Sequence, residues 1–415
     1  MAEKYLILGT GASGLSAVRT IKKIKPSSDI YAAFSDDHPY SRMLIPYYLT
    51  SEITGEKLYD RNEKFLNDLG VKLLPGRKAT KLFADTKRVE FDNGEIIGYD
   101  KLLIATGSVP VVPERWSSFE RVVSLWDYHD VERFKGRLDS ADEIVIIGSG
   151  FIGMIFANAL YKIGKKITII EKLDTVLPKM LPETAALMFR EQLMNNGVTL
   201  VTGDAITEID EKSDKITIST ENGKEITGDM AVIAVGIKPN IDFLKSSGIT
   251  IKDAIIVDKQ LKTNDESIYA AGDIAECPAL RENGNAIYPT WPAAVEHGEV
   301  AGSNMAGEKR DYLGGLLYNS VTFGTISAAS FGRWNDTDAE IVRWKDPAKG
   351  RFIQFCIKND IIIGASLLGD NDRIGIIKGL IEQGKKIAGD FLKNPSAFAN
   401  EFLLSNYFAG NAYKG

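Results

Sequence analysis

At 415 residues the chain is too long for one hydrophobic core; at roughly 100–200 residues per domain it predicts two to four units. A formal charge of −6, without a lysine or arginine block, argues against nucleic acid as the main partner, and no run reaches the roughly 18 apolar residues of a membrane-spanning helix. Only two cysteines occur, Cys277 and Cys356, too few and too far apart in sequence for a disulfide framework or a Cys-x-x-Cys pair.

The chain reaches "KYLIL" (4–8) almost at once, an apolar strand-like run that leaves no room for a secretory leader and sets the expectation of a cytoplasmic protein. Gly9-Thr10-Gly11-Ala12-Ser13-Gly14 follows, and then "LSAVRTIKKI" at helical spacing. Strand, glycine turn and helix together form a cradle for a pyrophosphate: one glycine makes the turn, one lets the phosphate approach, and one lets helix and strand pack. Alone such a turn is equally a βα corner. The second strand, "DIYAAF", runs into Ser35, Asp36, Asp37 and His38, and Asp36 is the carboxylate expected to meet the ribose.

A second copy, "EIVIIGSGFIGMIFANAL", carries Gly148, Gly150, Phe151, Ile152 and Gly153, and its next strand, "KITIIE", ends in Glu171. Glu171 stands 23 positions after Gly148 (171 − 148), near the roughly 20 expected for a carboxylate on an adenosine ribose. A carboxylate there repels a 2′-phosphate, so NAD(H) is expected over NADP(H). The alternative is a polar strand end.

Three further stretches carry a resemblance: "YDKLLIATGSVPVVP" (99–113), "DMAVIAVGIKPNIDFL" (229–244) and "IIVDKQLKTNDESIYAAGDIAE" (255–276). With the two glycine turns they resemble, in order, the FAD-dependent pyridine nucleotide-disulfide oxidoreductases. The resemblance implies an α/β fold of two Rossmann-like dinucleotide-binding domains, glutathione-reductase-like, plus a C-terminal α+β interface domain. The implied boundaries are 1–113 with 237–311 for FAD, 114–236 for NAD and 312–415 for the interface domain, with a homodimer expected. It also implies FAD contacts from Gly9, Gly11, Ala12, Ser13, Gly14, Asp36, Arg42, Ala105, Thr106, Gly107, Gly272, Asp273, Thr290, Trp291 and Ala293. NAD contacts are implied for Gly148, Gly150, Phe151, Ile152, Gly153, Glu171 and Gly236. No metal is expected.

"PYSRMLIPYYL" (39–49) resembles the matching segment of rubredoxin and ferredoxin reductases and of nitrite reductase large subunits. Relatives that reduce disulfides or peroxide carry a redox cysteine three residues before a Pro-Tyr, where this chain has Met43, and a thioether forms no thiolate. The resemblance therefore implies the branch without a redox cysteine. Met43 and Leu44 become candidates to cover the flavin, with Met43 as core filler the alternative, and Cys277 lies in sequence just after the Gly-Asp pair.

The expected function is an FAD-dependent NAD(H):acceptor oxidoreductase that passes electrons between NADH and an iron–sulfur or rubredoxin-type protein by hydride transfer at flavin N5. The alternatives are an NADH oxidase or peroxidase using oxygen species directly, and a non-catalytic NAD-responsive flavoprotein. After residue 312 the runs "EIVRWK", "RFIQFCIK" and "IIIGASLL" predict antiparallel strands, and "DRIGIIKGLIEQGKKI" a helix. The tail "FANEFLLSNYFAGNAYKG" is expected to pack on its own domain or on a second copy.

Overall fold

The computed structural model describes residues 3–212, 214–281, 284–369 and 373–386; the Phe- and Tyr-rich tail at 398–415 lies outside them. Two compact units result. Of the described residues, one holds those up to Ser118 with Val123–Ser140 and Val235–Leu317; the other holds Phe119–Val122, Ala141–Ala234 and those from Tyr318 to Lys386.

In the first unit the apolar strand Lys4–Leu8 sits at the middle of a parallel sheet, between Asp29–Ala33 and Lys101–Ile104, with Lys72–Leu74 and Ile268–Ala270 at the two edges. Leu6, Ile7, Leu102, Leu103 and Ile104 are wholly buried, as a strand covered on both faces requires. Strand order reverses on either side of Lys4–Leu8, and Gly9 follows it directly, so the first glycine turn opens at the switch point where such sheets bind ligands. Helix Ala12–Ile24 packs against helix Trp291–Met305. That approach depends on glycine: a Cβ on Gly298 would lie 2.2 Å from the Ser13 carbonyl oxygen, and one on Gly302 2.8 Å from that of Ala17.

The second unit repeats the plan. Glu143–Ile147 pairs in parallel with Lys166–Glu171 and with Met230–Ile233, and Thr199–Thr202 follows beyond Lys166–Glu171. Its C-terminal part is an antiparallel sheet in the order Tyr318–Phe323, Ile326–Gly332, Ile361–Leu368, Arg351–Lys358, Glu340–Asp346, followed in the chain by helix Ile374–Gln383.

Two groupings differ from the boundaries expected from sequence. Val123–Ser140, expected within 114–236, packs in the first unit. There the Tyr128 ring stacks on Tyr48 at 5.7 Å, the Tyr48 hydroxyl donates to Glu132, and Lys135 Nζ donates a 2.8 Å bond to the Tyr48 carbonyl. The C-terminal sheet groups with the second glycine-turn sheet, not apart from it: Ser366 Oγ donates to the Met180 carbonyl at 3.1 Å, the Gly324 amide to Asn158 Oδ1 at 3.0 Å, and Tyr161 meets Phe323 at 4.9 Å.

Candidate functional site

The two glycine turns have nearly the same backbone. Gly9 and Gly148 both have φ of +101°, a conformation that glycine adopts without strain, and their amides donate to the carbonyls of Ala33 and Ile170 at 2.8 Å. Gly11 and Gly150 precede the two helices with φ, ψ of −72°, −168° and −73°, −172°. A Cβ on Gly14 or Gly153 would collide with the carbonyl oxygen of Gly9 or Gly148, at 2.0 and 2.1 Å, whereas one on Gly11 or Gly150 would meet nothing within 4 Å. The third glycines are thus demanded by packing and the first by their positive φ, whereas the middle ones are demanded by neither. Space is kept open in front of two helix starts that have no side-chain cap and no acidic residue in the first turn. This is the geometry that accepts a pyrophosphate, and it occurs once in each unit.

Around the first turn the candidate residues converge. Gly9 presses on Ala105, whose carbonyl oxygen a Cβ there would approach to 2.3 Å, and Gly272 lies against Ser13, whose Oγ would be 2.9 Å from an added Cβ. Gly107 takes a positive φ of +65°, and its carbonyl accepts the Asn240 amide at 3.0 Å, while Thr106 Oγ1 donates to the Asn240 carbonyl at 3.4 Å. Asp273, beside Gly272, accepts a 2.6 Å bond from Ser108 Oγ. Burial pushes the Asp273 carboxyl above the usual carboxylate range, against the pull of the Ser108 hydroxyl and the Arg42 charge. The Asp36 carboxyl is raised mainly by burial and then by Asp127, and Arg42 again opposes the shift. The Arg42 guanidinium lies 4.4 Å over the Trp126 ring, and Trp126 Nε1 donates to the Ser108 carbonyl at 3.0 Å. One exposed cation therefore serves two half-buried acids.

Arg42, Met43 and Leu44 form a single 3-10 turn, and Met43 is 52 % exposed, which removes the core-filler reading. Thr290 precedes helix Trp291–Met305; its Oγ1 is buried and has no hydrogen-bond partner. Such an orphaned hydroxyl at an uncapped helix start fits a ligand that accepts or donates there. Trp291 is 36 % exposed, so it is not core, whereas Ala293 is buried.

In the second unit Glu171 Oε2 accepts the Ser149 amide and Ser149 Oγ, both at 2.8 Å, and Oε1 accepts the Leu173 amide at 2.9 Å. The carboxylate is thereby locked beside the second turn. Phe151 and Ile152 begin the helix, half-buried. Gly236, φ +141°, belongs to the first unit, where its carbonyl accepts the Val111 amide at 2.9 Å.

Cys277 is fully buried, its thiol pushed up by desolvation and then by Glu276, and Cys356 is fully buried with Sγ donating to the Trp334 carbonyl at 2.8 Å. Sequence reasoning missed Ser108 as the partner of Asp273 and Trp126 as the platform for Arg42. Ser108 lay inside the stretch 99–113 and Trp126 inside the expected 114–236 domain; an indole beside an acid-rich stretch was the available signal.

Paired dinucleotide cradles with an acidic strand end define a pyridine-nucleotide-dependent flavoprotein. The chain belongs to the pyridine nucleotide-disulphide oxidoreductase family, whose profile matches residues 3–298, and residues 319–385 match the rubredoxin NAD+ reductase C-terminal domain. Over 419 residues, 97 % of this chain and 98 % of the relative, it is 26 % identical to the NADH-dependent phenylglyoxylate dehydrogenase subunit epsilon of Aromatoleum evansii. It is likewise 26 % identical to the NADH-rubredoxin oxidoreductase of Clostridium acetobutylicum, over 92 % of this chain and 95 % of that one. The fold matches putidaredoxin reductase in its covalent complex with putidaredoxin at a TM-score of 0.89, with 20 % identity and full coverage of both chains. An NAD-dependent persulfide reductase from A. fulgidus superposes at 0.86, with 27 % identity over 92 % of this chain and 77 % of that one. The protein is an FAD- and NAD(H)-dependent oxidoreductase of that family.

Proposed function

We propose that the chain carries electrons between NADH and an iron–sulfur or rubredoxin-type protein without any sulfur intermediate. The observation that carries this is the turn Arg42–Leu44, which presents an exposed thioether while both thiols of the chain are buried. Bound FAD supplies the chemistry, taking a hydride from nicotinamide and returning electrons singly, so that a two-electron donor serves a one-electron acceptor.

The protein's part is binding and alignment. The amides after Gly11 hold the FAD pyrophosphate, Asp36 takes the ribose hydroxyls, and Asp273, oriented by Ser108, takes a ribityl hydroxyl. Thr290 and the first amides of helix Trp291–Met305 offer donors and a positive helix end toward negative charge on the ring system. Met43, Leu44 and Trp291 shield the ring face. In the second unit the amides after Gly150 hold the NAD pyrophosphate, and Glu171 accepts from the ribose and repels a 2′-phosphate. Hydride transfer depends on alignment at about 3–3.5 Å more than on an acid or base, so the site needs no catalytic His-carboxylate pair. The C-terminal sheet is assigned to pairing of two copies. Among the described residues no helix is long and apolar enough to cross a membrane, and a cytoplasmic location accords with the proposed acceptors.

Anaerobic rapid mixing tests this reading. NADH should bleach the flavin absorbance, and reoxidation by a ferredoxin or rubredoxin should far outpace reoxidation by oxygen. Flavin that NADH leaves unchanged, or that oxygen reoxidises as fast as either protein, would overturn it.

A further inference from the structure

His297, on helix Trp291–Met305, is fully buried, and neither its sequence neighbourhood nor the chemistry above gives it a task. Its Nδ1 lies 3.3 Å from the Gly272 amide nitrogen and 3.7 Å from Cys277 Sγ. A backbone N–H only donates, so Nδ1 must carry the lone pair and the ring proton must sit on Nε2. Nε2 is buried without a hydrogen-bond partner, its ring standing edge-to-face with Tyr312 at 4.7 Å and 89°. As packing material this is a poor choice, because an apolar side chain of similar size would leave no polar atom stranded. What the imidazole adds is an acceptor for Gly272, and burial, which lowers its pKa to about 4, keeps that acceptor unprotonated.

Gly272 is where such an acceptor matters. Its φ is +84°, a Cβ there would sit 2.9 Å from Ser13 Oγ in the first glycine turn, and the next residue is Asp273. We propose that His297 is a positioning residue for the flavin: its bare Nδ1 fixes the Gly272–Asp273 turn and with it the direction in which Asp273 offers its carboxylate. The inference rests on the assignment of this site to FAD.

The test is the dissociation constant of FAD from apoprotein, read by flavin fluorescence, for wild type, His297→Asn and His297→Leu. Asparagine places an oxygen near the Nδ1 position, whereas leucine keeps volume and removes the acceptor. Leucine should weaken FAD about tenfold or more, and asparagine should stay within about threefold of wild type. The opposite order, with leucine near wild type and asparagine weaker, would make His297 a core filler and overturn the proposal. Should a variant fail to fold, the ¹⁵N shifts of the His297 ring in wild-type protein at neutral pH decide: Nε2–H with bare Nδ1 supports the proposal, and Nδ1–H sinks it. Wild-type protein that takes up no FAD overturns the functional reading and this inference together. Equal FAD affinity in all three proteins overturns this inference alone.

Discussion

Ser108 Oγ donates a 2.6 Å hydrogen bond to Asp273, joining residues 165 positions apart in the chain at the centre of the first unit's site. The bond partly offsets the burial that raises the Asp273 carboxyl. A carboxyl whose folded pKa lies above its unfolded one contributes stability below the unfolded value, and that contribution is lost as pH rises through the folded value. Ionising Asp273 in the FAD-free fold therefore costs more than ionising it in the unfolded chain.

Asp273→Asn should accordingly stabilise the FAD-free protein at neutral pH by about 1 kcal/mol, remove the part of its stability that falls as pH rises above the usual carboxylate range, and weaken FAD binding. Ser108→Ala should carry the same decline in stability to higher pH. Urea unfolding of apoprotein across pH, beside FAD titrations, reads both; a neutral-pH loss of stability in Asp273→Asn would contradict the account.

The glycines divide by position. Gly11→Ala and Gly150→Ala add a methyl into open space at ordinary φ, so the fold should be unharmed or gain about 0.5 kcal/mol. Gly11→Ala should nevertheless weaken FAD, and Gly150→Ala NADH, by roughly tenfold or more, since the methyl occupies the phosphate approach. Gly14→Ala and Gly153→Ala, with a backbone oxygen at 2.0 and 2.1 Å, should instead lose about 1–3 kcal/mol of stability. Thermal melts and cofactor titrations of the four variants test the division.

Glu171 is held by Ser149 and Leu173. Glu171→Arg should raise the ratio of kcat/KM for NADPH over NADH by about tenfold or more, equivalent to roughly 1.4 kcal/mol. Glu171→Gln keeps an acceptor for Ser149 but sets its NH2 against the Leu173 amide, so it should relax the preference at a cost of about 1 kcal/mol of stability. An unchanged ratio in the arginine variant would remove Glu171 from the ribose site.

With both cysteines buried, native protein should resist iodoacetamide until unfolded. Cys277→Ala and Cys356→Ala should keep turnover with NADH and a protein acceptor within about threefold while each loses ~1 kcal/mol of stability, the cost of a small cavity. A tenfold fall in turnover without unfolding would restore sulfur to the mechanism.

Much of this was legible before any tertiary structure. Gly9–Gly14, Gly148–Gly153 and Glu171 announce themselves because strand, turn and helix are local, and their chemistry depends on backbone that a few consecutive residues dictate. The antiparallel strands after Tyr318 were readable for the same reason: alternation of apolar side chains is a property of each strand alone. The grouping of these pieces was not readable. Val123–Ser140 is expected within the 114–236 domain, yet Tyr128, Glu132 and Lys135 fasten it to Tyr48.

The sequence by itself determined two dinucleotide cradles, the acid at the end of the second, and the absence of a thiol at position 43. Tertiary structure alone decided that Ser108 serves Asp273, that Trp126 carries Arg42, and that His297 accepts the Gly272 amide. The physical reason is range: a turn's conformation is set by its own φ and ψ, whereas a hydrogen bond across 165 residues exists only once the core has brought its partners within 3 Å or so of each other.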